Sequence, residues 1–137
     1  MDSINEHLVG AKWLTSTIGT LGGTVSGAFL DIIPKEALLP AVRYSAAILE
    51  DTMPIEGTRI MTRIEWTVLV VREGLEVAPL VPIANALDAA LQGATGTADG
   101  LRIDCTRMRP FEMLELDDDG GQYRHVGGQY LTVITEI

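Results

Sequence analysis

Residues that carry chemistry are scarce in this chain of 137 residues. A single cysteine, Cys105, excludes an internal disulfide and a thiolate metal cage. The two histidines, His7 and His125, stand far apart, with no Asp, Glu or Cys at ligand spacing to complete a metal site or a catalytic pair. Ser16, Ser26 and Ser45 lack the sharp strand-to-helix setting of a nucleophile elbow. The glycine-rich stretch 19–27 is not followed by Lys-Ser or Lys-Thr, so it is no phosphate cradle. No acid, base and nucleophile can be grouped from these spacings, which makes an enzyme the weakest class. No catalytic, metal or cofactor residue is expected.

Positive charge is also short. Ten Lys and Arg face nineteen Asp and Glu, for a net charge of −9. An acidic surface repels phosphates and argues against nucleic-acid binding by a basic face. It does suit DNA that must slide past, because Lys and Arg contacts are what release counterions and make DNA stick. Long apolar runs are missing as well. Residues 75–91 are interrupted by Pro79, Pro82, Asn85 and Asp88, and 68–71 is too short to cross a bilayer. The first six residues are acidic and polar where a signal peptide needs a basic region. No leader and no membrane contact are expected, and reduced cytoplasm is the simplest setting. The 47% of apolar residues then points to a buried core or buried subunit contacts.

Amphipathic segments follow one another in a definite order. Ile4, Leu8, Ala11 and Leu14 recur at helical spacing, with Ser3 and Glu6 placed for a capping box. This predicts a first helix within 4–18. Gly19, Gly22, Gly23 and Gly27 mark an irregular loop, which either orders on assembly or is plainly flexible. Residues 28–33 read as a short extended stretch stopped by Pro34. A strand is predicted over 41–50, a loop over 51–57 and a longer strand over 60–72. In that strand Ile60, Ile64, Trp66, Val68 and Val70 share one face, while Leu69 and Val71 make the far end of the second face apolar too. A second helix lies within 75–92, begun near Pro79 and Pro82 and stopped by Gly93. Its buried stripe is Ile83, Ala84, Leu87, Ala90 and Leu91. Residues 94–100 read as a small-residue loop. Strands over 101–116 and 122–137 flank a tip at Asp117-Asp118-Asp119-Gly120-Gly121. A parity change from Leu101, Ile103 and Cys105 to Leu114 and Leu116 predicts a bulge near 107–110. Gly127 and Gly128 read as an irregularity in the last strand.

The expectation is one α+β domain spanning 1–137. It has a mainly antiparallel sheet of about four strands with two helices packed on one face, in the order α-β-β-α-β-β.

This order carries a resemblance. The Pro-initiated strand Leu39-Pro40-Ala41-Val42-Arg43-Tyr44, the amphipathic strand 63–72, the helix Ile83-Ala84-Asn85-Ala86-Leu87-Asp88-Ala89-Ala90-Leu91 and the alternating end Tyr130–Ile137 resemble the tail-terminator (tail-completion) subunits of long-tailed bacteriophages. The resemblance runs from about Ile4 to Ile137 and rests on pattern and order, with no catalytic signature. It implies a structural virion protein, assembled in the host cytoplasm. Such a protein forms a ring, usually a hexamer, on the head-proximal end of the tail tube. The ring stops tube polymerisation and presents the surface that joins the head–tail connector, and DNA passes through its lumen. The implied partners are further copies of the chain, the tail tube protein and the connector or stopper protein.

Acidic loops at Asp51, Glu56 and Asp117, Asp118 and Asp119 are then the candidates for facing the lumen or a partner. Trp66, Leu69 and Val71 are the candidates for the subunit interface. The triple-Asp tip lacks the alternating ligands and terminal Glu of a calcium loop, so an exposed hairpin end is the simpler reading. Glu112 and Glu115 fall on opposite faces of a regular strand and make no acid/base pair. Cys105 reads as a small buried apolar residue. Two other classes stand beside this one: a connector or stopper of the same joint, and a small-ligand-binding regulatory module.

Overall fold

A computed structural model describes residues 3–52 and 61–137. Helix α1 spans Ser3–Ile18, and a 3-10 turn follows at Leu21–Gly23. Strands β1 (Ala28–Leu30), β2 (Ala41–Thr52) and β3 (Met61–Glu73) come next. A 3-10 turn at Ala78–Leu80 leads into helix α2, Val81–Leu91. Strands β4 (Thr95–Ala98), β5 (Leu101–Leu116) and β6 (Gln122–Glu136) complete the chain. Among the described residues the strands form one curled, half-barrel sheet in the order β1-β2-β3-β6-β5-β4. β1 runs parallel to β2, and every other neighbouring pair is antiparallel.

This overturns the expected sheet of about four antiparallel strands. The sheet is mixed and has six described strands. Two short segments make the difference. β1 has three residues, too few to show a period. β4 (Thr-Gly-Thr-Ala) offers almost no apolar signal and is held by backbone pairing to β5. Its turn was legible: Asp99 (φ 51°) and Gly100 (φ 77°) both take the left-handed region between the paired residues Ala98 and Leu101. That is the two-residue hairpin turn for which Asp-Gly is favoured. The loop expected to begin at 51 is corrected as well. β2 continues through Asp51, opposite Thr62, to Thr52. Glu56 and Ile60 lie outside the described residues.

Both helices cover the same face of the sheet. Val9, Leu14 and Ile18 from α1 and Leu87 and Leu91 from α2 pack with Ile64, Trp66, Val68, Val70, Ile103, Tyr130 and Ile134. Burial of these side chains is the main favourable term in the fold, at roughly 1.5–3 kcal/mol each. Trp66 sits at the centre. Its Nε1 donates to Thr132 Oγ1 at 2.9 Å, Tyr44 meets it edge-on at 5.8 Å and His7 stacks on it at 5.5 Å. The Tyr44 hydroxyl donates to the Ala11 carbonyl at 2.9 Å, tying β2 to α1. Glu6 does not close the expected capping box. It is fully buried and accepts a hydrogen bond from the Thr62 hydroxyl.

The bulge expected near 107–110 is present, as a register shift between Arg107 and Arg109. The parity of β5 changes there, but Leu114 and Leu116 do not reach the core. They are 39% and 66% exposed. Gly127 and Gly128 are not an irregularity: the pairing of β6 with β3 and β5 runs through them unbroken. Close approach explains Gly127, because a Cβ there would lie 2.0 Å from the Val68 carbonyl oxygen.

Candidate functional site

The site grows out of the parallel pairing of β1 with β2. Parallel neighbours cannot be joined by a tight turn, so the connection must cross a face of the sheet. The helices hold one face. Residues 31–39 lie over the other, where Leu69 and Val71 are 1% and 4% exposed. The chain itself therefore covers the apolar end of the second face.

Between this crossover and the strands runs an open groove of about 490 Å³. That is the size of many ligand and peptide sites, which run from roughly 300 to 1,000 Å³. Ile33, Pro34, Leu39 and Val71 give it an apolar wall, and Asp31, Lys35, Arg43, Glu115, Tyr123 and His125 line the rest. Among the described residues neither Lys35 nor Arg43 is engaged in an ion pair.

His125 is the groove's most constrained group, with a side chain only 3% exposed. Its Nε2 lies 3.1 Å from Glu115 Oε1, and its buried Nδ1 has no hydrogen-bond partner among the described residues. Burial pushes its pKa below the ordinary histidine value. The hydrogen bond to Glu115 opposes that shift, and the nearby Arg43 charge adds to it. The ring is accordingly neutral at pH 7. Nε2–H donates to Glu115, which leaves Nδ1 as a bare acceptor.

The hairpin end joining β5 to β6 stands beside the groove, since Glu115 and Tyr123 belong to both. Asp117 closes the turn. Its Oδ1 accepts the backbone N–H of Asp119 at 3.0 Å and that of Gly121. Asp117 also raises the Tyr123 pKa by charge repulsion, ahead of desolvation. Asp118 and Asp119 are exposed, and their side chains have no hydrogen-bond or ion-pair partner among the described residues.

The other expected residues fall as follows. Trp66 is fully buried under α1, and Leu69 and Val71 are buried on the second face. All three thus have a folding role inside one chain. Asp51 is in β2. Glu112 and Glu115 serve different partners: Glu112 lies 3.7 Å from Arg124, whereas Glu115 meets His125. His7, on Trp66, and His125, in the groove, are on opposite faces of the sheet. Among the described residues no group of three His, Cys, Asp or Glu is placed to hold a metal ion. The groove itself was not anticipated, because its lining comes from four separate segments. A second hollow, of about 330 Å³, lies between α2 and β5. There the Tyr130 hydroxyl donates to Asp88 at 2.8 Å.

No protein-family model matches the chain, and no curated protein matches it.

Proposed function

We propose that the chain is a non-enzymatic, ring-forming structural protein of a phage virion, the tail terminator. It sits on the head-proximal end of the tail tube, stops tube growth and joins the connector. The observation that carries this reading is the uncovered apolar surface of the crossover. Ile32 and Leu38 are 77% and 79% exposed. Ile32 lines the groove, and Leu38 adjoins the lining residues Ala37 and Leu39. Exposed apolar side chains beside a groove mark contacts with other proteins. The order of the long elements, α1, β2, β3, α2, β5 and β6, supports the resemblance, with β1 and β4 added at the sheet edges. The net charge of −9 suits DNA sliding through a lumen without being gripped. A connector or stopper of the same joint fits these features as well and differs in where it docks.

One observation favours a second class. A groove of about 490 Å³ with an unsatisfied buried histidine suits a small-ligand-binding regulatory module.

Solution mass by light scattering, followed by electron microscopy of any large species, separates the readings. A closed ring supports the terminator or connector. A dimer whose melting temperature rises with a small ligand supports the regulatory module. For a ring, capping of purified tail tubes separates terminator from connector: the terminator halts tube elongation, and the connector leaves it running.

A further inference from the structure

We propose that the open edge of β5, Pro110–Leu116, pairs with the same edge of a second copy of this chain, antiparallel and about a two-fold axis at Met113. The inference goes beyond the ring reading and does not depend on it. A two-fold contact closes on itself with two copies, so a ring would use other surfaces.

β5 outruns the strand beside it. β4 pairs only with Leu101–Asp104, the backbone of 93–94 reaches Cys105, and Gln92 Oε1 accepts the N–H of Arg107. Beyond Arg107 nothing among the described residues hydrogen-bonds the outer backbone of β5. Pro110 fixes which groups point outward. It has no N–H, so its pairing with Gly128 is not one that exchanges hydrogen bonds with β6. Glu112, Leu114 and Leu116 share its parity, and their N–H and C=O groups point away from β6 to the open edge. Leu114 and Leu116 are 39% and 66% exposed. An open edge with no Lys, Pro or Gly from Phe111 to Leu116 is a template for another strand.

The edge's own sequence selects its partner. Arg107 and Arg109 stand at one end, and Glu115 and Asp117 at the other. An antiparallel copy reverses that polarity and sets each basic end against an acidic one. Pro110 and the closed turn at Asp117 bound the run that pairs, and opposing Pro110–Leu116 with itself centres it on Met113. In that register the N–H groups of Glu112, Leu114 and Leu116 meet the carbonyls of Leu114, Glu112 and Pro110 of the other copy. Pro110, with no N–H to offer, falls at the end of the ladder. Glu112 faces Leu114, and Arg109 faces Asp117, whereas an axis at Glu112 would set two like carboxylates against each other. Among the described residues Arg109 donates to Gln129, and neither Arg109 nor Asp117 stands in an ion pair.

Sedimentation of the full chain and its variants tests the pairing, with thermal melts confirming that each variant folds. The parent should self-associate. Leu114→Pro removes an outward N–H that β6 does not use, and should weaken association on the order of tenfold or more. Glu112→Lys with Leu114→Lys keeps every N–H and sets like charges opposite one another. It should weaken association as much, and serves if the proline variant does not fold. At the axis Met113 meets Met113 in a non-hydrogen-bonded pair, with Cα atoms about 4.5 Å apart, a separation that a disulfide spans. Met113→Cys should therefore oxidise to a covalent dimer on a non-reducing gel, and Phe111→Cys should not. Cys105 is buried and does not compete. A parent that stays monomeric at every accessible concentration overturns the proposal. So does a folded Leu114→Pro or double variant that associates like the parent, and so does Met113→Cys that cross-links no faster than Phe111→Cys. A ring that persists unchanged in these variants keeps the ring reading and removes the pairing.

Discussion

His125 shows how a single residue acquires a role that its sequence neighbours do not announce. Burial depresses its folded pKa below the ordinary value near 6.5, so protonation favours the unfolded chain. The stability that comes from keeping it neutral is fully present above the unfolded value. It is lost as pH falls through the lowered folded value. Melting temperature should therefore drop more steeply below pH 6.5 in the parent chain than in His125→Gln. Parallel curves would show that His125 does not titrate against folding. Gly127 yields a packing prediction. Gly127→Ala drives a methyl group into the Val68 carbonyl and should cost about 3 kcal/mol in denaturant unfolding. A neutral result would mean that β3 and β6 separate easily there. Cys105 is 2% exposed, and burial, with the Asp88 charge as a smaller cause, pushes its thiol up to about 12. A thiol reagent at pH 8 should label it only as fast as the protein unfolds.

Among the elements, α2 was legible nearly residue by residue. Pro79 falls in the 3-10 turn before it, Pro82 in its first turn, and Leu87 and Leu91 point into the core. Local signals suffice because a helix is written at short range: caps, prolines and a 3.6-residue period. Leu87→Ala should destabilise the fold by about 2–5 kcal/mol, since Leu87 is fully buried between α2 and the sheet. A cost under about 1 kcal/mol in a calorimetric or denaturant measurement would mean that the helix is not anchored there. The bulge in β5 was legible for a similar reason, since a parity change within one strand needs an extra residue. β1 and β4 were missed because edge strands of three and four residues are recruited by their neighbours' backbones. A local pattern does not encode that recruitment.

At the scale of the whole molecule, the curled sheet divides the chain into two faces with different work. The helix-bearing face is an apolar core. The other carries the groove, in which Lys35 and Arg43, outside any ion pair among the described residues, stand with Asp31 and Glu115, and the acidic hairpin end lies beside it. If the copies associate through the charged edge of β5, their self-association should weaken as salt rises from 50 to 500 mM, on the order of tenfold or more. Light scattering across that range checks it. Association that strengthens with salt would assign the contact to apolar surface such as Ile32 and Leu38 in place of the charged groups.

The sequence by itself determined both helices, the long strands β2, β3, β5 and β6, the bulge and the acidic turn. Only the tertiary structure decided that β1 pairs in parallel with β2, and this forces residues 31–39 across the second face. The same packing buried Leu69 and Val71 within one chain. It brought Lys35, Arg43, Glu115 and His125, far apart in the chain, to one groove. Periodicity reports which side of an element faces inward. It does not report which distant element will be there to meet it, because that depends on long-range pairing that no local pattern contains.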